Sequence, residues 1–258
     1  MMRKLICSAL ALLTLCLPVR AAESVPVQVD GYPLEGPAFL EDGVTYVPLR
    51  ELLEALGGRD LRWDPDSRTA VSDSLKLAAD PAANLVTVDG TPYPGAVEVW
   101  QGRTYVPLRL VSEALGASAR WDPWMRGAAV TSPDAPCDAM DFYWLSRVIF
   151  AESGGEPLEG QIAVGNVVLN RVEHEQFPDS VPAVVFDCAD AVQFEPVANG
   201  SIYQTPSDAA MEAARRALNG ENTAGDALYF YAPALSQGAW INASRAFELA
   251  IGCHRFYS

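Results

Sequence analysis

Lysine is nearly absent from this chain of 258 residues. Lys4 and Lys76 stand against 33 acidic residues, and the formal net charge is −15. A chain so acidic and so poor in ammonium groups lacks the phosphate-neutralising surface on which nucleic-acid binding depends, so no nucleic-acid partner is expected. The same balance argues against electrostatic attraction to an anionic membrane or polymer. Any partner must be held by hydrogen bonds and ring stacking. Histidine is as scarce, with only His174 and His254. The first half of the chain has none, so no metal site is indicated there, and no cofactor is expected. Past the N-terminal segment, no apolar run approaches the roughly 20 residues that cross a bilayer.

The chain starts "MMRKLICSALALLTLCLPVRAAES". Two cations, an apolar stretch from Leu5 to Leu17 and a small-x-small site follow the order of a secretory signal peptide. Residues 1–21 are therefore expected to be removed, with cleavage after Ala21 and no anchor left behind. Loss of Arg3, Lys4 and Arg20 takes the charge to about −18. Cys137, Cys188 and Cys253 remain, enough for one disulfide in an oxidising compartment. The sequence does not choose the pair; Cys188 with Cys253 is preferred because both lie in the second half.

What is present is a repeat. "TYVPLRELLEALGG" at 45–58 returns as "TYVPLRLVSEALGA" at 104–117, and "RWDP" at 62–65 returns at 120–123. The offset of 58 or 59 residues marks a duplicated unit. Each unit reads as strand, turn, strand, helix, strand, an α+β domain over 25–132. Pro48 and Pro107 are expected at the first helical position, and Gly57 and Gly116 just past the helix ends. Trp63 and Trp121 are most simply core residues at strand ends, with a sugar-stacking platform as the sharper reading. "PDAPC" at 133–137 is a proline-rich linker, and residues 138–258 form a mainly helical second domain.

Its first helix, "DAMDFYWLSRVIFAES", carries Phe142, Leu145, Val148, Ile149 and Glu152 along one face. Glu152 thus projects inward from the last turn, before Gly154 and Gly155. Burial and the negative helix end both disfavour its anion. A carboxyl that keeps its proton toward neutral pH suits the general acid of a glycosidase. The next helix, opened by Pro157, is apolar over most of its surface, and Asn166 and Asn170 on it are expected to tie loops together. A third runs from an N-cap at Ser207 to Gly220. "VQFEPVANGSIYQTP", "ALYFYAP", "QGAWINASRAF" and "IGCHRFYS" hold the aromatics and amides that would suit a sugar ligand.

"AESGGEPLEGQIAVGNVVLNRV", "VQFEPVANGSIY", "ALYFYAP" and "IGCHRFY", in that order, resemble the SleB-like cell wall hydrolases, the spore-cortex-lytic enzymes. The resemblance implies a lysozyme-like, mainly α domain with a small β element. It implies peptidoglycan glycan strands as substrate, cut between MurNAc and GlcNAc by lytic transglycosylation, and a monomer that is secreted and associated with wall or spore. It places the catalytic glutamate on Glu152 and a second motif glutamate on Glu156. Substrate contacts are implied at Gln193, Phe194, Asn199, Ser201, Tyr229, Tyr231 and His254. Cys253 stands where the family commonly has glycine, which suggests a local disulfide. The first half resembles the copper amine oxidase N-terminal-like domain and, lacking histidine, is expected to be a stalk or targeting module. Asp187, Asp190 and Glu195 leave room for a hydrolytic muramidase. Two rival readings are a Cys–His enzyme at Cys253 and His254 and a wall-binding protein with an inactive second half.

Overall fold

Asp-Gly and Gln-Gly pairs set the rhythm of the first half. Asp42 and Gly43 take φ of 49° and 80°, and Gln101 and Gly102 take 49° and 75°, the left-handed pair that closes a two-residue hairpin. The computed structural model describes residues 23–189 and 191–258. The signal-peptide segment, with Cys7 and Cys16, lies outside the described residues, as does Asp190.

The first repeat comprises β1 (Glu23–Ser24), β2 (Val27–Val29), β3 (Tyr32–Pro33), β4 (Phe39–Glu41), β5 (Val44–Pro48), α1 (Leu49–Ala55), β6 (Arg62–Asp64) and β7 (Thr69–Ser72). After β8 (Leu77–Asp80), the second runs through β9 (Leu85–Val88), β10 (Thr91–Pro94), β11 (Glu98–Trp100), β12 (Arg103–Pro107), α2 (Leu108–Ala114), β13 (Ser118–Asp122) and β14 (Gly127–Thr131). The repeats are entwined. The central sheet has the order β1-β4-β5-β12-β11, and Val47 pairs with Val106, its own counterpart. An internal two-fold therefore passes between equivalent residues, as in an isologous dimer. The outer sheets, β13-β14-β2-β3 and β10-β9-β8-β7-β6, each combine strands of both repeats. Leu49, Leu52, Leu53, Leu108 and Val111 from the two helices bury between them.

Two sequence expectations change here. Pro48 and Pro107 are not the first helical residues. Each ends its strand in extended conformation and serves as N-cap residue, because the pairing of Pro48 with Tyr105 and of Pro107 with Tyr46 keeps both in the central ladder. Trp63 and Trp121 are not core residues: they are 48% and 43% exposed, because β6 and β13 are edge strands of their sheets. Gly57 and Gly116 do close the helices, with φ of 90° and 82°.

The second half is built on α3 (Ala139–Ser153) and α4 (Leu158–Glu173), with α5 (Val181–Val185), α6 (Glu195–Asn199), α7 (Asp208–Leu218), β15 (Tyr229–Tyr231), α8 (Ala239–Ser244), β16 (Phe247–Ile251) and β17 (His254–Tyr257). The three late strands form one sheet, ordered β15-β17-β16. Asp138 caps α3, its Oδ1 accepting from the amides of Met140 and Asp141. Eleven of the fifteen α3 residues are buried. Gly165 lets α4 approach α3 and α7; a Cβ there would lie 2.9 Å from Ile149 Cδ1 and 3.4 Å from Ala217 Cβ. Asn166 and Asn170 tie the 221–227 loop to α4 as expected, donating to the carbonyls of Glu221, Gly225 and Ala227.

The halves share a packed joint. Trp144 Nε1, in the middle of α3, donates to Asp122 Oδ2 at 2.7 Å, and both residues have no exposure. Asp122 Oδ1 accepts from the amides of Trp124 and Met125, and the Trp124 ring stacks on Phe186 at 5.3 Å. Tyr32 and Arg215 add a hydrogen bond of 3.0 Å, and Arg120 pairs with Asp138.

The preferred Cys188–Cys253 disulfide is not formed; all three described cysteines are free. Cys253 sits in the β16–β17 turn beside Glu156, whereas Cys188 is exposed in the loop after α5.

Asp122→Ala would leave two turn amides and a buried indole N–H without an acceptor, and should cost about 2–4 kcal/mol in urea denaturation. Asp64→Ala, at the equivalent but more open turn of the first repeat, should cost less than half as much.

Candidate active site

Glu152 lies in the last turn of α3, which Gly154 ends. The inner face that buries Leu145, Val148 and Ile149 carries its carboxyl to the mouth of a cleft of about 260 Å³. The sides of the cleft are Arg171 of α4, Gln193 to Glu195 ahead of and into α6, Phe230 and Tyr231 of β15, and His254 of β17; Leu235 and Ser236 lie at its rim. Helix, loop and sheet therefore converge on one carboxyl.

The Glu152 carboxyl is pushed up to about 7 from an ordinary 4.5. Burial is the largest cause, and the Glu195 carboxylate adds to it; the Arg171 cation opposes both. Arg171 is only 5% exposed. Its Nε donates to the Leu228 carbonyl at 2.8 Å, and the guanidinium faces the rings of Phe177, Phe194 and Tyr229 at 5.0, 5.3 and 5.5 Å. Among the described residues its Nη1 has no partner. Burial also pulls this guanidinium down, to about 10.

Five of the sequence-expected residues meet in the cleft: Glu152, Gln193, Phe194, Tyr231 and His254. Phe194 is only 2% exposed. Its ring forms part of the floor against Arg171 and offers no open stacking face, because it caps the N-terminus of α6 from within the core. His254 is also buried, its Nδ1 has no partner, and burial lowers its pKa despite the nearby Glu156 carboxylate. Burial thus favours its neutral form.

The other four lie apart from the cleft lining. Glu156 is a clamp: its Oε2 accepts from the Cys253 amide at 2.8 Å and holds the β16–β17 turn. The same carboxylate pushes the Cys253 thiol up, the opposite of nucleophile activation. Asn199 Oδ1 accepts from the Ser201 amide at 2.8 Å, so these two residues shape the turn after α6. The Tyr229 hydroxyl accepts from Arg245 Nη2, and its ring packs behind the cleft on Arg171. Arg171 itself escaped the sequence reading. A single arginine among Val167, Val168 and Val172 of an apolar helix was the available signal. Leu235 and Ser236 gave none.

Among the described residues no group of three or more His, Cys, Asp or Glu side chains is placed to hold a metal.

Comparison with known proteins finds a family match in each half of the chain. Residues 155–257 match the Cell Wall Hydrolase family, and residues 28–129 match the copper amine oxidase N-terminal domain. The spore cortex-lytic enzyme of Halalkalibacterium halodurans is 39% identical over 116 residues, which are 45% of this chain and 34% of that protein. That of Bacillus subtilis is 39% identical over 101 residues, 39% of this chain and 32% of that protein. The chain thus spans about a third of the length of these relatives. Among solved structures, the catalytic domain of the germination-specific lytic transglycosylase SleB from Bacillus anthracis is 38% identical; the match covers 46% of this chain and 93% of that one, with a TM-score of 0.42.

The raised carboxyl makes folding pH-dependent. The folded state holds the Glu152 proton to about pH 7 and the unfolded chain only to about 4.5. The stabilisation is complete below 4.5, declines as pH rises through 7 and is absent above it. Relative to Glu152→Gln, the wild type should lose on the order of 2–3 kcal/mol between pH 4 and pH 8 in urea denaturation. A pH-independent difference would mean that this carboxyl titrates as an exposed one. The residue range matched by the family begins at Gly155, just past Glu152, and the second half of the chain carries a cell wall hydrolase domain, the first half a copper amine oxidase N-terminal-like domain.

Proposed function

We propose that this chain is a secreted enzyme that degrades peptidoglycan, cleaving the MurNAc–GlcNAc bond by lytic transglycosylation with Glu152 as its one acid–base group. The observation that carries this reading is the Glu152 carboxyl, protonated to about pH 7 at the mouth of a cleft. The relatives from Halalkalibacterium halodurans and Bacillus subtilis are called spore cortex-lytic enzymes, which favours wall or spore cortex as the place of action.

Glu152 donates its proton to the glycosidic oxygen as the bond from the MurNAc C1 breaks, and the GlcNAc leaves as an alcohol. The MurNAc C6 hydroxyl attacks C1, and its proton returns to Glu152. The products are a free GlcNAc end and a 1,6-anhydro sugar. No water is consumed and the enzyme recovers its starting state. Gln193 positions the sugar, Tyr231 offers a half-buried ring to it, and the neutral His254 supplies a hydrogen-bonding edge without repelling the oxocarbenium-like centre.

A hydrolytic muramidase is the second reading, and one observation favours it: the Glu195 carboxyl lines the same cleft and acts on Glu152. As a base it would activate a water for attack on C1. A Cys–His enzyme is opposed by the effect of Glu156 on Cys253.

Fragment masses from digested peptidoglycan separate the readings: anhydro ends support transglycosylation, and ends heavier by one water support hydrolysis. Glu152→Gln should lower release by about 10²–10⁴-fold, with sedimentation on peptidoglycan unchanged. Glu195→Gln removes an anion that raises Glu152. The alkaline limb of the pH–rate profile should then move to lower pH while release persists, whereas loss of release comparable to that of Glu152→Gln would assign Glu195 the hydrolytic base.

A further inference from the structure

The first half contains two clefts, of about 380 and 490 Å³, both larger than the cleft at Glu152. They are copies of one another. One is lined by Gly43, Thr45, Arg109, Arg120 and Trp121, and the other by Gly102, Thr104, Arg50, Arg62 and Trp63. In each, the hairpin turn of one repeat closes over the helix start and "RW" strand of the other, as the internal two-fold requires. Trp121 and Trp63 are about half exposed in them.

An indole that keeps about half its surface in water forgoes burial worth on the order of 1.5–3 kcal/mol. That both copies retain it, in matching clefts, is not explained by packing. The clefts also gather arginines, with Glu51 the one acidic residue of their lining among the described residues. Arg50, Arg62, Arg103, Arg109 and Arg120 line them, five of the sixteen arginines in an otherwise acidic chain. Each faces one protein carboxylate, such as Asp73 at 3.3 Å from Arg62 and Glu113 at 3.9 Å from Arg109. The five side chains nonetheless stay 48–67% exposed. A ring platform beside guanidinium forks matches a sugar polymer that bears carboxylates.

We propose that the two clefts are paired binding sites for peptidoglycan glycan strands, with a sugar ring on each tryptophan and the carboxylates of the strand's peptide branches at the arginines. The choice of polymer rests on the function proposed for the second half; the sites themselves rest on the clefts. Two equivalent sites on one rigid domain give avidity for a polymer that neither has for a short fragment.

The chain with both halves joined, incubated on ice with purified insoluble peptidoglycan, provides the test. Trp63→Ala and Trp121→Ala should each weaken sedimentation about tenfold or more, and the double substitution should abolish it. Release from soluble muropeptide fragments and thermal unfolding should stay within about twofold and about 2 °C of wild type, because neither indole is in the core or near Glu152. Arg62→Gln with Arg120→Gln should weaken sedimentation and flatten its dependence on salt. Wild-type sedimentation by the double tryptophan variant would overturn the proposal. So would a concentration-dependent dimer that the substitutions dissolve while sedimentation is kept, which would assign the clefts to a second copy of the chain. Loss of activity in Glu152→Gln bears only on the second half, and failure there leaves the sedimentation result intact.

Discussion

The burial of α3 is the constraint from which the other features of this molecule follow. The helix is surrounded by α4, α5, α7 and the turn after β13, and Trp144 at its centre has no exposure. A carboxyl on the inner face of such a helix loses most of its hydration wherever it sits. Glu152 falls where the helix ends and the cleft begins, so its carboxyl is both desolvated and reachable. Moved one turn back along the same face, it would be a buried charge with no access to a ligand; moved to the outer face, it would titrate as an ordinary acid.

Burial raises the Glu152 carboxyl most, and the Glu195 carboxylate adds to it. Arg171 opposes both. It is buried more completely than Glu152, and three aromatic rings and one carbonyl hold it. Its field lowers the Glu152 pKa while that of Glu195 raises it. Burial, one rim anion and one floor cation together put the carboxyl at about 7. Because the two neighbours act in opposite senses, each can be altered without removing the acid itself.

The helices were legible because their signals are local. Period gave α3 with its end at Gly154, and caps gave α7 with Ser207 and Gly220; the inward aim of Glu152 followed from the same period, while the Asp138 cap of α3 emerged only with the structure. Glycines with positive φ marked the helix ends in both repeats. What escaped was set by partners distant in sequence. The exposure of Trp63 and Trp121 depends on which strands become sheet edges, and nothing inside "RWDP" encodes that. Arg171 matters because Leu228 and Tyr229, more than fifty residues away, come to meet it. Glu156 has the composition of a substrate contact, but its clamp role is defined by the Cys253 amide across the sheet turn.

Duplication produced two equal units, but joining them to a second half could use only one. The turn after β13 carries Trp124 and Met125 where the first repeat has Asp66 and Ser67. In the second repeat Asp122 spends one oxygen on that turn and the other on Trp144, while in the first Asp64 bonds only within its own turn, to the Asp66 amide and the Ser67 hydroxyl. The symmetry is thus broken at the turns and kept at the clefts, where Arg62 and Trp63, like Arg120 and Trp121, directly precede the turn aspartates on the same strands and face the partner repeat's hairpin. Trp63 and Trp121 keep equivalent, half-exposed places although Arg120 and Asp122 on either side of Trp121 serve the joint, while Arg62 and Asp64 beside Trp63 bond only within the first half. The proposed binding surface rests on that equivalence.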